Sequence, residues 1–198
     1  MSSEVLIIDN NDSFTYNLAQ YIKFLDYKPV IINIDDISNI HCDKYQKIIL
    51  SPGPGLPDEN PKLIDFILKY SDSKDILGVC LGHQAIAMAY GASLYNLNKP
   101  RHGIDMRLVN VCDNELLYKD ISDIDVGLYH SWAVDAKDLP DCFNVTSSDT
   151  ESVIMSIRHK KYNLRGVQYH PESIITTKGL KILSNWMDKP RCTQTSII

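Results

Sequence analysis

Four short apolar runs in the first eighty residues constrain the fold more than any other feature. Val5-Leu6-Ile7-Ile8, Val30-Ile31-Ile32, Lys47-Ile48-Ile49-Leu50 and Ile76-Leu77-Gly78-Val79 are too short for buried helices and rich in β-branched residues. They read as strands buried on both faces. Helical spacing fills most of the gaps. Phe14, Leu18, Tyr21, Ile22 and Leu25 recur on one helix face, with Asp12 or Asn11 as the expected N-cap. Leu63, Ile64, Ile67, Leu68 and Tyr70 mark a second helix, and residues 84–90 a third that Gly91 should stop. Strand and helix in alternation predict an open, mostly parallel sheet with helices on both faces.

The second half changes character. Strands are expected at residues 106–109, 143–146, 153–157 and 166–169 with little helix between them, which adds a small antiparallel sheet. A last helix carries Leu180, Leu183, Trp186 and Met187 on one side, and the tail 189–198 is expected to fray. No linker or repeat interrupts the 198 residues, so a single domain, 1–198, is expected. A chain of this length can bury roughly 70% of its unfolded surface and needs no disulfide or metal staple.

Composition narrows the function. The net charge is −5, with 20 basic and 25 acidic residues, and there is no long basic run, so neither nucleic acid nor an anionic membrane is an expected partner. No apolar run nears the ~20 residues of a membrane span. The opening Met1-Ser2-Ser3-Glu4 does not resemble a signal peptide, so a cytoplasmic location is expected. The five cysteines are widely spaced with no Cys-x-x-Cys, which indicates neither a disulfide framework nor a zinc site.

One cysteine has a special setting. Gly78-Val79-Cys80-Leu81-Gly82 places Cys80 at a sharp turn from a buried strand into a helix, with the spacing of a nucleophile elbow. The helix N-terminus favours a thiolate there, and the Leu81 N–H would lie where an oxyanion forms. The competing reading is a buried thiol, the commonest fate of a free cysteine. It applies to the other four. A nucleophile also needs a base. His41 and His159 sit among polar residues and read as solvated surface; His83 reads as core, and His102 and His130 as site or interface residues. His170, in Gln168-Tyr169-His170-Pro171-Glu172, ends a predicted strand at a proline-stiffened turn, and Glu172 can fold back to fix its tautomer. Ser51-Pro52-Gly53-Pro54-Gly55 follows the third strand, where α/β sheets place ligands. It reads as a plain turn or as an oxyanion wall with Gly53 as second donor.

Together the elbow, the Ser51–Gly55 loop and the block from Gly166 to Ser173 resemble the signature blocks of class I (triad) glutamine amidotransferases, whose flavodoxin-like fold matches the expected sheet. The opening Ile8-Asp9-Asn10-Asn11-Asp12-Ser13-Phe14-Thr15-Tyr16-Asn17-Leu18 is similar to that of the glutaminase subunits of anthranilate synthase and aminodeoxychorismate synthase, and does not resemble that of GMP synthetase. The resemblance implies a Cys80-His170-Glu172 triad, an oxyanion hole from Gly53 and Leu81, and L-glutamine held by Gly53, Pro54, Gly55, Gln84, Ser131 and Trp132. It implies that ammonia passes to a larger chorismate-binding subunit in a hetero-oligomer, for anthranilate synthesis or alternatively for aminodeoxychorismate. Magnesium would sit on that partner, with no cofactor or metal in this chain. A catalytically silent docking partner is the contrasting expectation, against which the intact triad residues speak. Ile104-Asp105 departs from the lysine and small hydroxyl residue usual after His102-Gly103, in a region that faces the partner in relatives. Trp132 and Tyr169 replace the usual Leu and Phe.

Overall fold

The computed structural model describes residues 4–188, so the tail 189–198 and Cys192 lie outside the described residues. In chain order the elements are β1 (Glu4–Asp9), α1 (Thr15–Phe24), β2 (Lys28–Asn33), β3 (Lys47–Leu50), α2 (Pro61–Tyr70), β4 (Asp75–Val79) and α3 (Leu81–Ala89). There follow β5 (Leu94–Arg107), β6 (Asp125–Val134), β7 (Phe143–Ser148), β8 (Ile154–His159), β9 (Leu164–Val167) and α4 (Gly179–Met187). Seven strands form one sheet in the order β2-β1-β3-β4-β9-β8-β7. The first five run parallel, and β8 and β7 extend the edge antiparallel. β5 and β6 pair separately as a two-stranded antiparallel ribbon.

The central strands are buried on both sides because their alternate residues feed two cores. Val5, Ile7, Ile49, Leu77 and Val79 pack on one face against Leu18 and Ile22 of α1 and Leu183 and Trp186 of α4. Leu6, Ile8, Ile48, Leu50 and Ile76 pack on the other against Leu63 and Ile67 of α2 and Ala85 and Ile86 of α3. Each such side chain, fully withdrawn from water, contributes about 1.5–3 kcal/mol. This double burial is why these strands read as continuous apolar runs. All the parallel strands end toward one rim, and the Ser51–Gly55 loop, Cys80 and the segment after β9 leave the sheet there.

Several expectations shift. The first helix is capped at Phe14 rather than at Asn11 or Asp12. Asp12 instead closes the turn ahead of it, its carboxylate accepting from the Phe14 N–H at 2.8 Å. α3 begins at Leu81, three residues before the expected start, and ends as predicted: Gly91, at φ +100°, and Ala92 donate back to Met88 and Ala87. The strand expected at residues 106–109 is only the end of β5, whose exposed polar middle has no apolar alternation to read. β6 carries no expectation at all, because Gly127 and His130-Ser131 interrupt its apolar pattern. Leu180 faces solvent while Leu183, Trp186 and Met187 are buried. His159 is buried rather than solvated: it ends β8 stacked on Tyr162 at 4.5 Å, edge-on to Phe143.

Candidate active site

Cys80 sits between β4 and α3 at φ +51° and ψ −104°, a conformation that an L-residue adopts only under constraint. The neighbouring packing imposes it. A Cβ on Gly78 would meet the Gly82 carbonyl oxygen at 2.3 Å, and one on Gly82 would meet the Leu50 oxygen at 2.4 Å. Only hydrogen fits at either position, so strand and helix close up tightly and the cysteine between them is pushed out. The Cys80 N–H is spent on Val167 O at 2.8 Å, which ties the elbow to β9. Leu81, in the first helical turn, carries an N–H with no acceptor inside the helix.

The Pro52-Gly53 loop is drawn close to the elbow by Asn10, whose N–H donates to Ser51 Oγ at 2.9 Å and whose amide donates to Ser51 O at 2.8 Å. A Cβ on Gly53 would lie 2.7 Å from Asn10 Cβ and 3.0 Å from Leu81 Cδ2, so glycine alone allows the approach. Gly55 has φ +72°.

His170 reaches the same place from the end of β9. Its N–H donates to Gly127 O at 3.0 Å, and its carbonyl accepts from Thr176 Oγ1. Nδ1 bonds Glu172 Oε1 at 2.8 Å, with both side chains almost wholly buried. Phe14 and Tyr129 hold the imidazole edge-on, at 5.3 and 5.0 Å between centroids. Nε2 makes no hydrogen bond of regular geometry, but Cys80 acts on it electrostatically. Burial opposes charge on the ring. The sulfur and Glu172 outweigh that and raise its pKa to about 10, so it is an imidazolium at neutral pH.

A cavity of about 410 Å³ opens beside the sulfur, within the usual range for small-molecule sites. Its lining brings together Gly53, Pro54, Gly55, Cys80, Leu81, Gln84, Ser131 and Trp132, which include every residue expected to hold substrate. Leu56, Glu59, His102, Tyr129 and His130 line it as well, and of these Leu56, Glu59 and Tyr129 were not expected. Gln84 donates its NH₂ to Trp132 O at 2.8 Å and to Gln168 at 3.0 Å, which leaves its carbonyl oxygen as an acceptor for a ligand. A smaller cavity, about 170 Å³, touches Cys80 together with Asp12, Ser13, Phe14, Pro52 and His170. The Phe14–Tyr129 clamp on His170 escaped the sequence, where Phe14 reads only as part of a helix face. Among the described residues no group of three or more His, Cys, Asp or Glu side chains could hold a metal ion, and no helix is long and apolar enough to cross a membrane.

Over 189 residues the chain is 40% identical to aminodeoxychorismate synthase component 2 of Escherichia coli (strain K12), covering 93% of this chain and 100% of that protein. It is 37% identical over 193 residues to aminodeoxychorismate/anthranilate synthase component 2 of Bacillus subtilis (strain 168), covering 94% and 97%. A solved structure from Thermoplasma acidophilum superposes with a TM-score of 0.82 at 25% identity, over 94% of this chain and 93% of that one. Residues 6–189 match the family described as Glutamine amidotransferase class-I. With the match running through β1, the elbow and the His170 turn, the chain belongs to the class-I glutamine amidotransferases.

Proposed function

We propose that this protein is a glutaminase subunit that hydrolyses L-glutamine at Cys80 and delivers the ammonia to a chorismate-binding synthase subunit for anthranilate synthesis. The observation that carries the reading is the convergence of a strained cysteine, a histidine oriented by a buried carboxylate, and two cavities that both touch the cysteine, the smaller one lined by His170 as well. The Cys80 thiolate attacks the side-chain amide carbon of glutamine. Backbone N–H groups of Gly53 and Leu81 hold the resulting oxyanion. Collapse breaks the C–N bond, His170 supplies a proton to the departing nitrogen, and a γ-glutamyl thioester remains. Water activated by the now neutral His170 attacks the thioester, releasing glutamate and restoring the thiolate. Glu172 holds the ring in the required tautomer. At the other end of the substrate, the Gln84 oxygen suits an α-ammonium group, and β6 at Ser131 and Trp132 supplies backbone groups for the α-carboxylate.

Ammonia set free in neutral water would protonate and lose its nucleophilicity, so direct transfer to the partner is chemically required. Magnesium for the chorismate chemistry belongs on that partner, and the protein functions in the cytoplasm. A second reading, ammonia supply for aminodeoxychorismate, is favoured by the similarity to relatives that carry that name, one of which carries both. The deciding assay mixes the purified chain with each chorismate-binding subunit from the same organism, adding chorismate, magnesium and glutamine. Anthranilate alone is the expected product. Both products would mean one subunit shared by two synthases, and no glutamine-dependent product with either would place the partner elsewhere and refute the role as glutaminase subunit of a chorismate-binding synthase.

A further inference from the structure

Gln168 is wholly buried just beyond the end of β9, and the triad scheme makes no use of it. Its N–H is anchored on Met155 O at 2.9 Å, and its side-chain amide lies between Gln84 and the nucleophile. Gln84 Nε2 stands 2.8 Å from Trp132 O and 3.0 Å from Gln168 Oε1, while Gln168 Nε2 stands 3.7 Å from Cys80 Sγ. The far end of this relay sets its polarity. A backbone carbonyl can only accept, so Gln84 must turn its NH₂ toward Trp132. That same NH₂ faces Gln168, which must therefore present its oxygen there and its own NH₂ to the sulfur. Flipping Gln84 would oppose two acceptors, and flipping Gln168 would oppose two donors.

We propose that Gln168 is a dedicated hydrogen-bond donor to the Cys80 sulfur, linking the nucleophile through Gln84 to the wall of the substrate cavity. The proposal rests on reading Cys80 as the nucleophile. A donor favours the thiolate over the thiol, because a charged acceptor makes the stronger bond, and more so in a buried site. His170 cannot serve this purpose throughout turnover, since it gives up its proton to the leaving nitrogen. A primary amide stays neutral and keeps its N–H through the whole cycle. It can therefore stabilise the sulfur both as attacking thiolate and as leaving group when the thioester is hydrolysed. Gln84, whose free carbonyl oxygen faces the cavity, passes any polarisation by a bound cationic group along the same two amides.

The test follows the alkylation of Cys80 by iodoacetamide in the folded protein as a function of pH. Mass spectrometry of the peptide that contains Cys80 excludes signal from Cys42, Cys112, Cys142 and Cys192. Gln168→Met removes the donor at similar volume, and Gln168→Glu keeps the shape while setting a carboxylate oxygen against the sulfur. For Gln168→Met the inflection should rise by roughly one pH unit, with about a tenfold slower reaction at pH 7. Gln168→Glu should exceed both changes. Circular dichroism identifies which variants are folded; if Gln168→Met is not, Gln168→Glu decides by the same criterion. A folded variant whose profile superimposes on that of the unsubstituted protein overturns the proposal. The readout involves no glutamine, so failure of the glutaminase role would show in the product assay and not here.

Discussion

At Cys80 a φ of +51° costs of order 1–3 kcal/mol, and the rest of the molecule has to sustain it. It does so through contacts that tolerate no side chain, Gly78 on Gly82 and Gly82 on Leu50. The residues proposed for the chemistry stood out in the sequence because their constraints are local: two glycines around a cysteine, and a carboxylate two positions beyond a histidine. The contacts that support them did not. Gln84 and Gln168 lie 84 positions apart, and the Phe14 and Tyr129 rings meet only once the chain is folded. Residue roles in the triad make a graded prediction. Replacing His170 with Ala removes proton transfer and should lower glutamine turnover by about 10²–10⁴-fold. Replacing Glu172 with Gln should cost less, since an amide oxygen can still accept from Nδ1–H. Steady-state glutaminase rates for the two variants check this, and a greater loss from Glu172→Gln would assign the carboxylate another role.

Among the elements, the parallel strands announced themselves because each is buried on both faces, whereas the β5–β6 ribbon did not. Most of β5 is polar and exposed, and its place is set by pairing with β6 instead of by its own pattern. Helix α3 is unusual in burying His83 completely against Gly166 of β9, where a Cβ would come within 2.5 Å of the ring. Burial, reinforced by repulsion from a charged His130, pushes the His83 pKa down to about 3; burial likewise lowers His130 to about 4. The unfolded chain binds these protons near pH 6.5, while the folded chain refuses them until far lower. The contribution of these two histidines to stability is therefore full above about pH 6.5 and falls as pH drops toward the folded-state values, by about 1.4 kcal/mol per pH unit for each. Urea titrations between about pH 5.5 and 4.5 should show a slope for His83→Met shallower by one such increment. Equal slopes would mean that α3 lets His83 protonate in the folded state.

For the whole molecule, what matters is that the rim of one sheet gathers segments from both halves of the chain. Asn10, the Ser51–Gly55 loop, Cys80, residues 129–132 of β6 and His170 all arrive there, so the site exists only when the fold is complete. The parallel arrangement and the site's position at the strand ends could be read from the sequence. The closure of its cavities could not, because one wall is completed by His102 of β5 and Tyr129 to Trp132 of β6, whose ribbon has no apolar pattern of its own to read. The central claim is that Cys80 makes ammonia and the partner consumes it. The most direct measurement compares glutamine with ammonium salts as nitrogen source for the reconstituted complex carrying Cys80→Ala. The account predicts that glutamine-dependent synthesis disappears while ammonia-dependent synthesis continues at the level of the unsubstituted complex. Retained use of glutamine by that variant would contradict it.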